Sequence, residues 1–207
     1  MNTKTEIVYV VDDDEAVRDS LTWLLESNGY SVKCQPSAER FLQSLQGEDK
    51  ETVSCLILDV RMPGMSGLEL QERLLTEGIP MPIAFITGHG DVSMAVSTMK
   101  KGAVDFIEKP FKESELKTLV EKMLSRARVE YAKADSQKNT QNLLSKLTGR
   151  EKQVLERIVA GRLNKQIADD LNISIKTVEA HRANIMEKLN VNTVADLLRL
   201  ALSETNS

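Results

Sequence analysis

The amino-acid sequence predicts two domains of different class, an α/β domain on a five-stranded, doubly wound parallel sheet and then an all-α domain of four short helices. Three observations carry this expectation. Over residues 1–124 short β-branched runs alternate five times with amphipathic stretches, the pattern of parallel strands joined by crossover helices. After residue 147 a capping-box pattern opens a series of short helical segments. The chain as a whole, 207 residues with 41% hydrophobic and 28% charged, is long enough for two ordinary cores and has neither a disordered nor a disulfide-stapled composition.

The strands are expected at Ile7–Val11, Val32–Gln35, Ser54–Leu58, Pro82–Ile86 and Val104–Ile107. Five helices lie between and after them. Asp14–Asn28 sets Val17, Leu21, Leu24 and Leu25 at helical spacing with Gly29 as its stop, Ala38–Leu45 is capped by Ser37, and Leu68–Glu77, Val92–Lys101 and Glu113–Ser125 follow. Residues 126–141 are polar, weakly patterned and free of Gly and Pro, so the expected linker, 125–146, is able to prolong the fifth helix. In the second domain, 147–207, Thr148 and Glu151 have the spacing of a reciprocal cap. Its helices are expected over Gly149–Ala160, Lys165–Leu171, Ile175–Leu189 and Thr193–Ser203, with Asn164, Ser174 and Asn192 as N-caps.

Apolar stretches such as Ile7–Val11 and Leu56–Leu58 fall far short of the roughly 20 residues of a membrane span. The first residues lack the apolar run of a signal peptide, so a cytoplasmic protein with no membrane partner is expected. Cys34 and Cys55 lack metal-site spacing and read as small buried side chains. The net charge of −4 is uneven: residues 1–124 carry 13 basic and 21 acidic side chains, residues 125–146 carry 5 and 2, and residues 147–207 carry 9 and 8. Only the tail is therefore a candidate for nucleic acid, and its charge alone does not establish that.

In an open parallel α/β sheet, ligands sit outside the carboxyl ends of the strands. Applied here, that rule gathers Asp12, Asp13 and Asp14 from the first strand, Asp59 from the third, Thr87 from the fourth and Lys109 from the fifth. Clustered carboxylates suit a hard ion such as Mg2+, which takes oxygen ligands and keeps several waters. A carboxylate oxygen can attack a phosphoryl group while a cation and a Lys neutralise its equatorial oxygens and a hydroxyl donates to one of them. Asp59, alone at the end of a central strand, is the natural nucleophile, and Asp12 and Asp13 the natural metal holders.

These residues, with Met62-Pro63-Gly64-Met65-Ser66-Gly67 after Asp59 and Lys109-Pro110-Phe111 at the last strand, resemble the receiver domain of two-component response regulators over about residues 5–125. Thr87-Gly88-His89-Gly90-Asp91-Val92 and Asp105-Phe106-Ile107-Glu108 are similar to the FixJ type in particular. The resemblance implies a CheY-like, flavodoxin-like fold and phosphorylation of Asp59 by a partner sensor histidine kinase. It implies Mg2+ held by Asp13, Asp59 and the backbone carbonyl of Arg61, with Asp12 acting through water. It also implies a switch through Thr87, Phe106 and Lys109, a cis Lys109-Pro110 bond, and a homodimer formed on phosphorylation through the fourth helix, fifth strand and fifth helix.

In the second domain a helix, the break Asn172-Ile173-Ser174 and a second helix have the spacing of a helix-turn-helix. On the second of these helices Val178, Ile185, Leu189, Ile175 and Met186 share one face, which is expected to be buried. Lys176, Thr177, Ala180, Ala183, Asn184 and Glu187 lie opposite, with Glu179 and Lys188 at the margins. Such a small and polar face suits a major groove. Leu147-Thr148-Gly149-Arg150-Glu151, Asn164-Lys165-Gln166-Ile167-Ala168, Thr177-Val178-Glu179-Ala180-His181-Arg182 and Met186-Glu187-Lys188-Leu189 are similar to the LuxR/NarL four-helix DNA-binding domain over about residues 145–205. DNA contacts are expected from Asn164, Lys165, Lys176, Thr177, Glu179, Ala180, Ala183, Asn184 and Lys188, with phosphate attraction from Lys165, Lys176 and Lys188. The stem of Arg182 lies near the buried stripe, leaving its guanidinium to reach DNA or to pair with protein. His181 reads as a hydrogen-bonded structural residue and His89 as a loop residue.

The expected function is a response regulator of the FixJ type acting as a transcription factor on double-stranded promoter DNA, an activator that works with RNA polymerase. It is not expected to be an enzyme, beyond catalysing its own phosphorylation and dephosphorylation. Two alternatives stand beside it. One is a DNA-binding regulator independent of phosphorylation. The other is a haloacid-dehalogenase-type phosphatase with Asp12 as nucleophile and Asp14 as acid; Glu15-Ala16 departs from that motif, and Asp59 and the helical tail would have no role.

Overall fold

The computed structural model describes residues 5–46, 52–88 and 92–205. The chain divides into two compact units, Met1–Tyr131 and Ala132–Ser207.

The first unit is built on β1 (Glu6–Val11), β2 (Ser31–Gln35), β3 (Val53–Asp59), β4 (Ile83–Thr87) and β5 (Asp105–Glu108). They form one parallel sheet in the order β2-β1-β3-β4-β5, and every strand end lies within one residue of its expected place. The connections are α1 (Glu15–Ser27), α2 (Ala38–Leu45), α3 (Gly67–Thr76) and α4 (Val92–Lys100), and α5 (Glu113–Ser145) follows β5. A strand alternates its side chains between two faces, and here both faces are covered. Val8, Val10, Ile57 and Ile86 pack with Leu21 and Leu25 of α1 and Leu116, Val120 and Met123 of α5. Tyr9, Val11, Leu56, Leu58 and Phe85 pack on the other side with Phe41 of α2 and Leu70 and Leu74 of α3. The central strands therefore read as continuous apolar runs, not as alternating ones.

The fifth helix, expected to end near Ser125, continues to Ser145 for 33 residues in all. The residues 126–145 contain no Gly or Pro to stop it; Ala127 is buried against the sheet-side core, and Arg128 donates from Nε and Nη2 to the two carboxylate oxygens of Glu6 at 2.6 and 2.9 Å. The polar stretch 125–146 is thus almost wholly helical and is divided between the two units.

The second unit contains α6 (Gly149–Val159), α7 (Asn164–Leu171), α8 (Ile175–Lys188) and α9 (Val194–Thr205). Its core joins Leu144 and Leu147 to Val154, Ile158, Ile167, Val178, Ile185, Leu189 and Leu197. Thr148 and Glu151 cap α6 reciprocally, and Ser174 caps α8 through the Thr177 amide. Two expected caps are corrected. Asn164 is already the first helical residue of α7, whose start is held by Gln166 Oε1 accepting from the Leu163 amide at 2.9 Å. At α9 the cap is Thr193, whose hydroxyl accepts from the Asp196 amide at 3.1 Å, and not Asn192. Ile175 is also corrected: it stands at the very start of α8, before the helix closes over the core, and is 45% exposed. Cys55 is buried, which pushes its thiol up to about 12, whereas Cys34 is half-buried with its sulfur 2.9 Å from the Thr22 hydroxyl.

Candidate functional site

All five strands of the first unit run in parallel, so their carboxyl ends share one edge. Asp12 follows β1, Asp59 ends β3, Thr87 ends β4, and Lys109 follows β5 before a cis bond to Pro110. Residues scattered over the sequence are thereby brought together. Lys109 Nζ donates to Asp12 Oδ2 at 2.8 Å and stands 3.6 Å from Asp59 Oδ1. Asp12, Asp59 and Thr87 are buried, Lys109 is half-buried and Asp13 is exposed at the mouth. Asp12 is fixed on three sides: by Lys109, by the Asp14 amide at 2.9 Å on Oδ1, and by Arg18, which donates to its backbone carbonyl at 2.7 Å. The Lys109 amide donates to the Thr87 carbonyl at 2.8 Å, so the backbone carrying the ammonium is tied to the strand carrying the hydroxyl.

Asp59 accepts from the Arg61 amide at 2.8 Å on Oδ2, and its other oxygen is the one nearer Lys109. Burial pushes the Asp59 carboxyl above the usual carboxylate range, the Arg61 amide opposes that rise, Asp12 adds to it, Lys109 opposes it and Asp13 adds to it. One ammonium for two buried carboxylates leaves a site that favours additional positive charge. Among the described residues no three His, Cys, Asp or Glu side chains stand together as a ready metal cage. Two carboxylates at Asp13 and Asp59 with a backbone carbonyl suit an ion that keeps several waters, as Mg2+ does.

The loop after Asp59 is held closely. Ser66 and Glu69 cap α3 reciprocally, and the Gly67 amide donates to the Val60 carbonyl at 3.0 Å. A Cβ on Gly67 would lie 2.1 Å from the Asp59 carbonyl oxygen, so only glycine lets α3 begin this near the acceptor strand. Phe106 is half-buried against the α2–α3 side of the core and is paired in register with Phe85 of β4. His89 lies outside the described residues.

In the second unit α8 presents Lys176, Thr177, Glu179, Ala180, Ala183, Asn184 and Glu187 to solvent, the face expected from the wheel. Lys165 is exposed and Asn164 half-buried at the start of α7. Lys188 departs from its expected role. Both Glu151 carboxylate oxygens accept from its Nζ, at 2.7 and 2.9 Å, which spends its charge on the cap of α6. Arg182 is half-buried beside Gly161, Asn164 and Val194 and has no hydrogen-bond or ion-pair partner among the described residues, so it is not committed to protein. His181, expected to be hydrogen-bonded, is half-buried with no such partner among the described residues. Arg150 donates to the Leu171 carbonyl at 2.6 Å and fixes the turn ahead of α8, where Asn172 takes a left-handed φ of 53°.

The receiver domain of response regulators matches residues 8–121, more than half of the chain, and the luxR family of bacterial regulatory proteins matches residues 145–201. The chain is a response regulator. It is 43% identical to the transcriptional regulatory protein FixJ of Bradyrhizobium diazoefficiens over 98% of its own length and 97% of that protein's. It is 44% identical to the response regulator protein TodT of Pseudomonas putida, covering 97% of this chain and 87% of that one. Among solved structures, the response regulator StyR aligns with a TM-score of 0.83 at 45% identity, over 95% of this chain and 98% of that one. Full-length FixJ from B. japonicum aligns with a TM-score of 0.57 at 41% identity, over 99% of this chain and 100% of that one. Of the two residues on which the phosphatase alternative would draw, Asp12 is bonded to Lys109, and Asp14 caps α1 by accepting from the Ala16 amide at 2.9 Å. No helix among the described residues is long and apolar enough to cross a membrane.

The sequence named Gly67 only as part of the motif after Asp59, with no role of its own, and did not point to Arg18 or the Glu151–Lys188 pair. For the first the Ser66-x-x-Glu69 cap pattern is a usable signal, since it starts a helix directly after the acceptor strand. Arg18 reaches only six residues back to the Asp12 carbonyl, whereas Glu151 and Lys188 lie 37 positions apart, and no local pattern announces either contact.

Proposed function

We propose that Asp59 is the phosphoacceptor of this transcriptional regulator, that the protein acts in the cytoplasm, and that its phosphorylation by a partner sensor histidine kinase promotes dimerisation and promoter binding. One observation carries the reading: Asp12, Asp59, Thr87 and Lys109 converge at one sheet edge, with Lys109 Nζ between the two buried carboxylates. In the transfer, an Asp59 oxygen forms a bond to phosphorus as the bond from phosphorus to the kinase histidine nitrogen breaks, and the electron pair stays on that nitrogen. Lys109 neutralises one equatorial oxygen and the Thr87 hydroxyl donates to another. Asp13, Asp59 and the Arg61 carbonyl would hold Mg2+, which supplies further charge neutralisation at the phosphoryl oxygens. A phosphoryl group brings about 1.5–2 negative charges and three acceptors, enough to draw Thr87 inward and let Phe106 turn into the space. The face of α4, β5 and α5 then changes, and a symmetric dimer through it places two helical units on two half-sites.

Lys165, Lys176 and Arg182 supply phosphate contacts, while Thr177, Glu179, Ala180, Ala183, Asn184 and Asn164 face the groove. The second unit carries a net charge of only +1 over residues 147–207, so dimerisation has to supply affinity that one copy lacks. Recruitment of RNA polymerase follows if the protein activates. The test is sedimentation and DNA binding of the intact protein, with fragments selected from its own genome, before and after treatment with acetyl phosphate and Mg2+. Dimerisation and tighter binding that are both lost in Asp59→Asn support the proposal. Binding that is equally tight without phosphate overturns it in favour of a regulator independent of phosphorylation.

A further inference from the structure

The segment 60–66, between the acceptor strand and α3, carries the Arg61 carbonyl. Its near end is held by the Arg61 amide on Asp59 Oδ2 at 2.8 Å. Its far end is held from another element. Glu39, in the first turn of α2, accepts from the Met65 amide on Oε1 at 2.9 Å, across 26 positions of sequence. The same oxygen lies 2.9 Å from where a Cβ on Gly64 would stand, and Gly64 has a φ of +76°. The loop therefore meets the carboxylate with bare backbone, and a side chain at 64 would both strain the turn and press on Glu39. Among the described residues the other hydrogen bonds on this segment, from Arg61 to Asp59, from Gly67 to Val60 and between Ser66 and Glu69, come from β3, α3 or the segment itself. The Met65 amide, more than any other group, holds the Glu39 carboxyl below its usual range, as expected of a carboxylate that accepts from a backbone donor.

We propose that Glu39 is a positioning residue for phosphoryl transfer: by holding Met65 it fixes the loop that carries the Arg61 carbonyl beside Asp59, so the acceptor pocket is formed before any ligand arrives. The proposal rests on the reading of Asp59 as phosphoacceptor. Glu39 touches none of the reacting atoms. Without it the loop is held only through β3, α3 and its own residues, and the ordering it supplies has to be paid when the cation binds. Partners behind the direct ligands change metal affinity by about 10–100-fold when removed, and the exposure of Glu39 places it at the low end, about tenfold.

The experiment uses the full chain with Glu39→Ala, Glu39→Gln and, as control, Asp59→Asn. Amide exchange across residues 60–68 is measured in metal-free protein, and the rate of phosphorylation by acetyl phosphate is measured against Mg2+ concentration. Glu39→Ala is expected to exchange faster in that segment and to need about tenfold more Mg2+ for half-maximal rate, with the rate at saturation unchanged. Glu39→Gln, whose amide oxygen still accepts, is expected to restore both. The proposal is overturned if Glu39→Ala matches wild type in exchange and Mg2+ dependence, if Glu39→Gln is as impaired as Glu39→Ala, or if only the saturating rate falls. Phosphorylation that survives in Asp59→Asn would instead refute the phosphoacceptor reading, and the exchange data would still judge Glu39 on its own.

Discussion

Gly67→Ala is the substitution whose consequence the structure states most sharply. The added Cβ would sit 2.1 Å from the Asp59 carbonyl oxygen and 3.1 Å from both the Asp59 carbonyl carbon and Leu58 Cγ. Nonpolar contact is comfortable only beyond about 3.5 Å, so the start of α3 and the end of β3 have to separate by about 1 Å or more. Neither can yield cheaply. Both belong to the buried face joined by Leu58, Leu70 and Leu74, and the opposing atom is backbone. Forcing extra volume into packed surroundings costs typically about 1–3 kcal/mol, and the backbone obstacle places this case at the upper end or beyond. Because the displaced residue is the acceptor itself, a 1 Å error in its position is expected to slow phosphorylation by about 100-fold. Urea unfolding measures the first effect and acetyl phosphate kinetics the second. Gly149→Ala is the matched control: its Cβ meets nothing within 4 Å at the start of α6, and the change is expected to leave the protein as stable or up to about 1 kcal/mol more so. Wild-type stability and rate in Gly67→Ala would refute the argument.

Other expectations follow from the same contacts. Glu151, buried and held chiefly by Lys188, has its carboxyl lowered from 4.5 to about 2, so its contribution is present above pH 4.5 and lost as pH falls toward 2. Glu151→Gln should cost about 2–3 kcal/mol at neutral pH, less than for a fully enclosed pair because Lys188 can turn to solvent, and should flatten the acid-side loss in urea titrations. Since Lys188 is spent on Glu151, Lys176→Ala should reduce the slope of log affinity against log salt by about 1 whereas Lys188→Gln should leave that slope unchanged. Gln71, buried on α3, bonds the Thr98 and Lys101 carbonyls only at 3.4 Å and leaves its Oε1 with no partner among the described residues. Gln71→Leu should therefore be neutral or stabilise by about 1 kcal/mol in thermal melts, and a large loss of stability would show that the two long bonds matter more than the orphaned oxygen.

The first unit was legible because its strands are short, β-branched and placed by one rule: parallel order sends every carboxyl end to the same edge. Asp12, Asp59, Thr87 and Lys109 could be gathered from that alone. The length of α5 was only half legible, since a polar stretch without Gly or Pro says that a helix is allowed and not that Arg128 and Ala127 will anchor it. Ile175 shows the limit of a helical wheel at a helix end, where the stripe begins before the core does. Lys188 shows the limit of counting cations: its sequence position puts it at the margin of the groove-facing surface, and only the fold reveals Glu151 within reach. Glu39 and Gly67 act through backbone atoms of a distant loop or strand, which no periodicity encodes.

The central claim is that one carboxylate, Asp59, receives the phosphoryl group. Intact mass and peptide mapping after incubation with acetyl phosphate and Mg2+ test it directly. A single phosphoryl adduct, labile to base, located on Asp59 and absent from Asp59→Asn, is the predicted result. An adduct that maps to Asp12 or Asp13, or one that persists undiminished in Asp59→Asn, would contradict it.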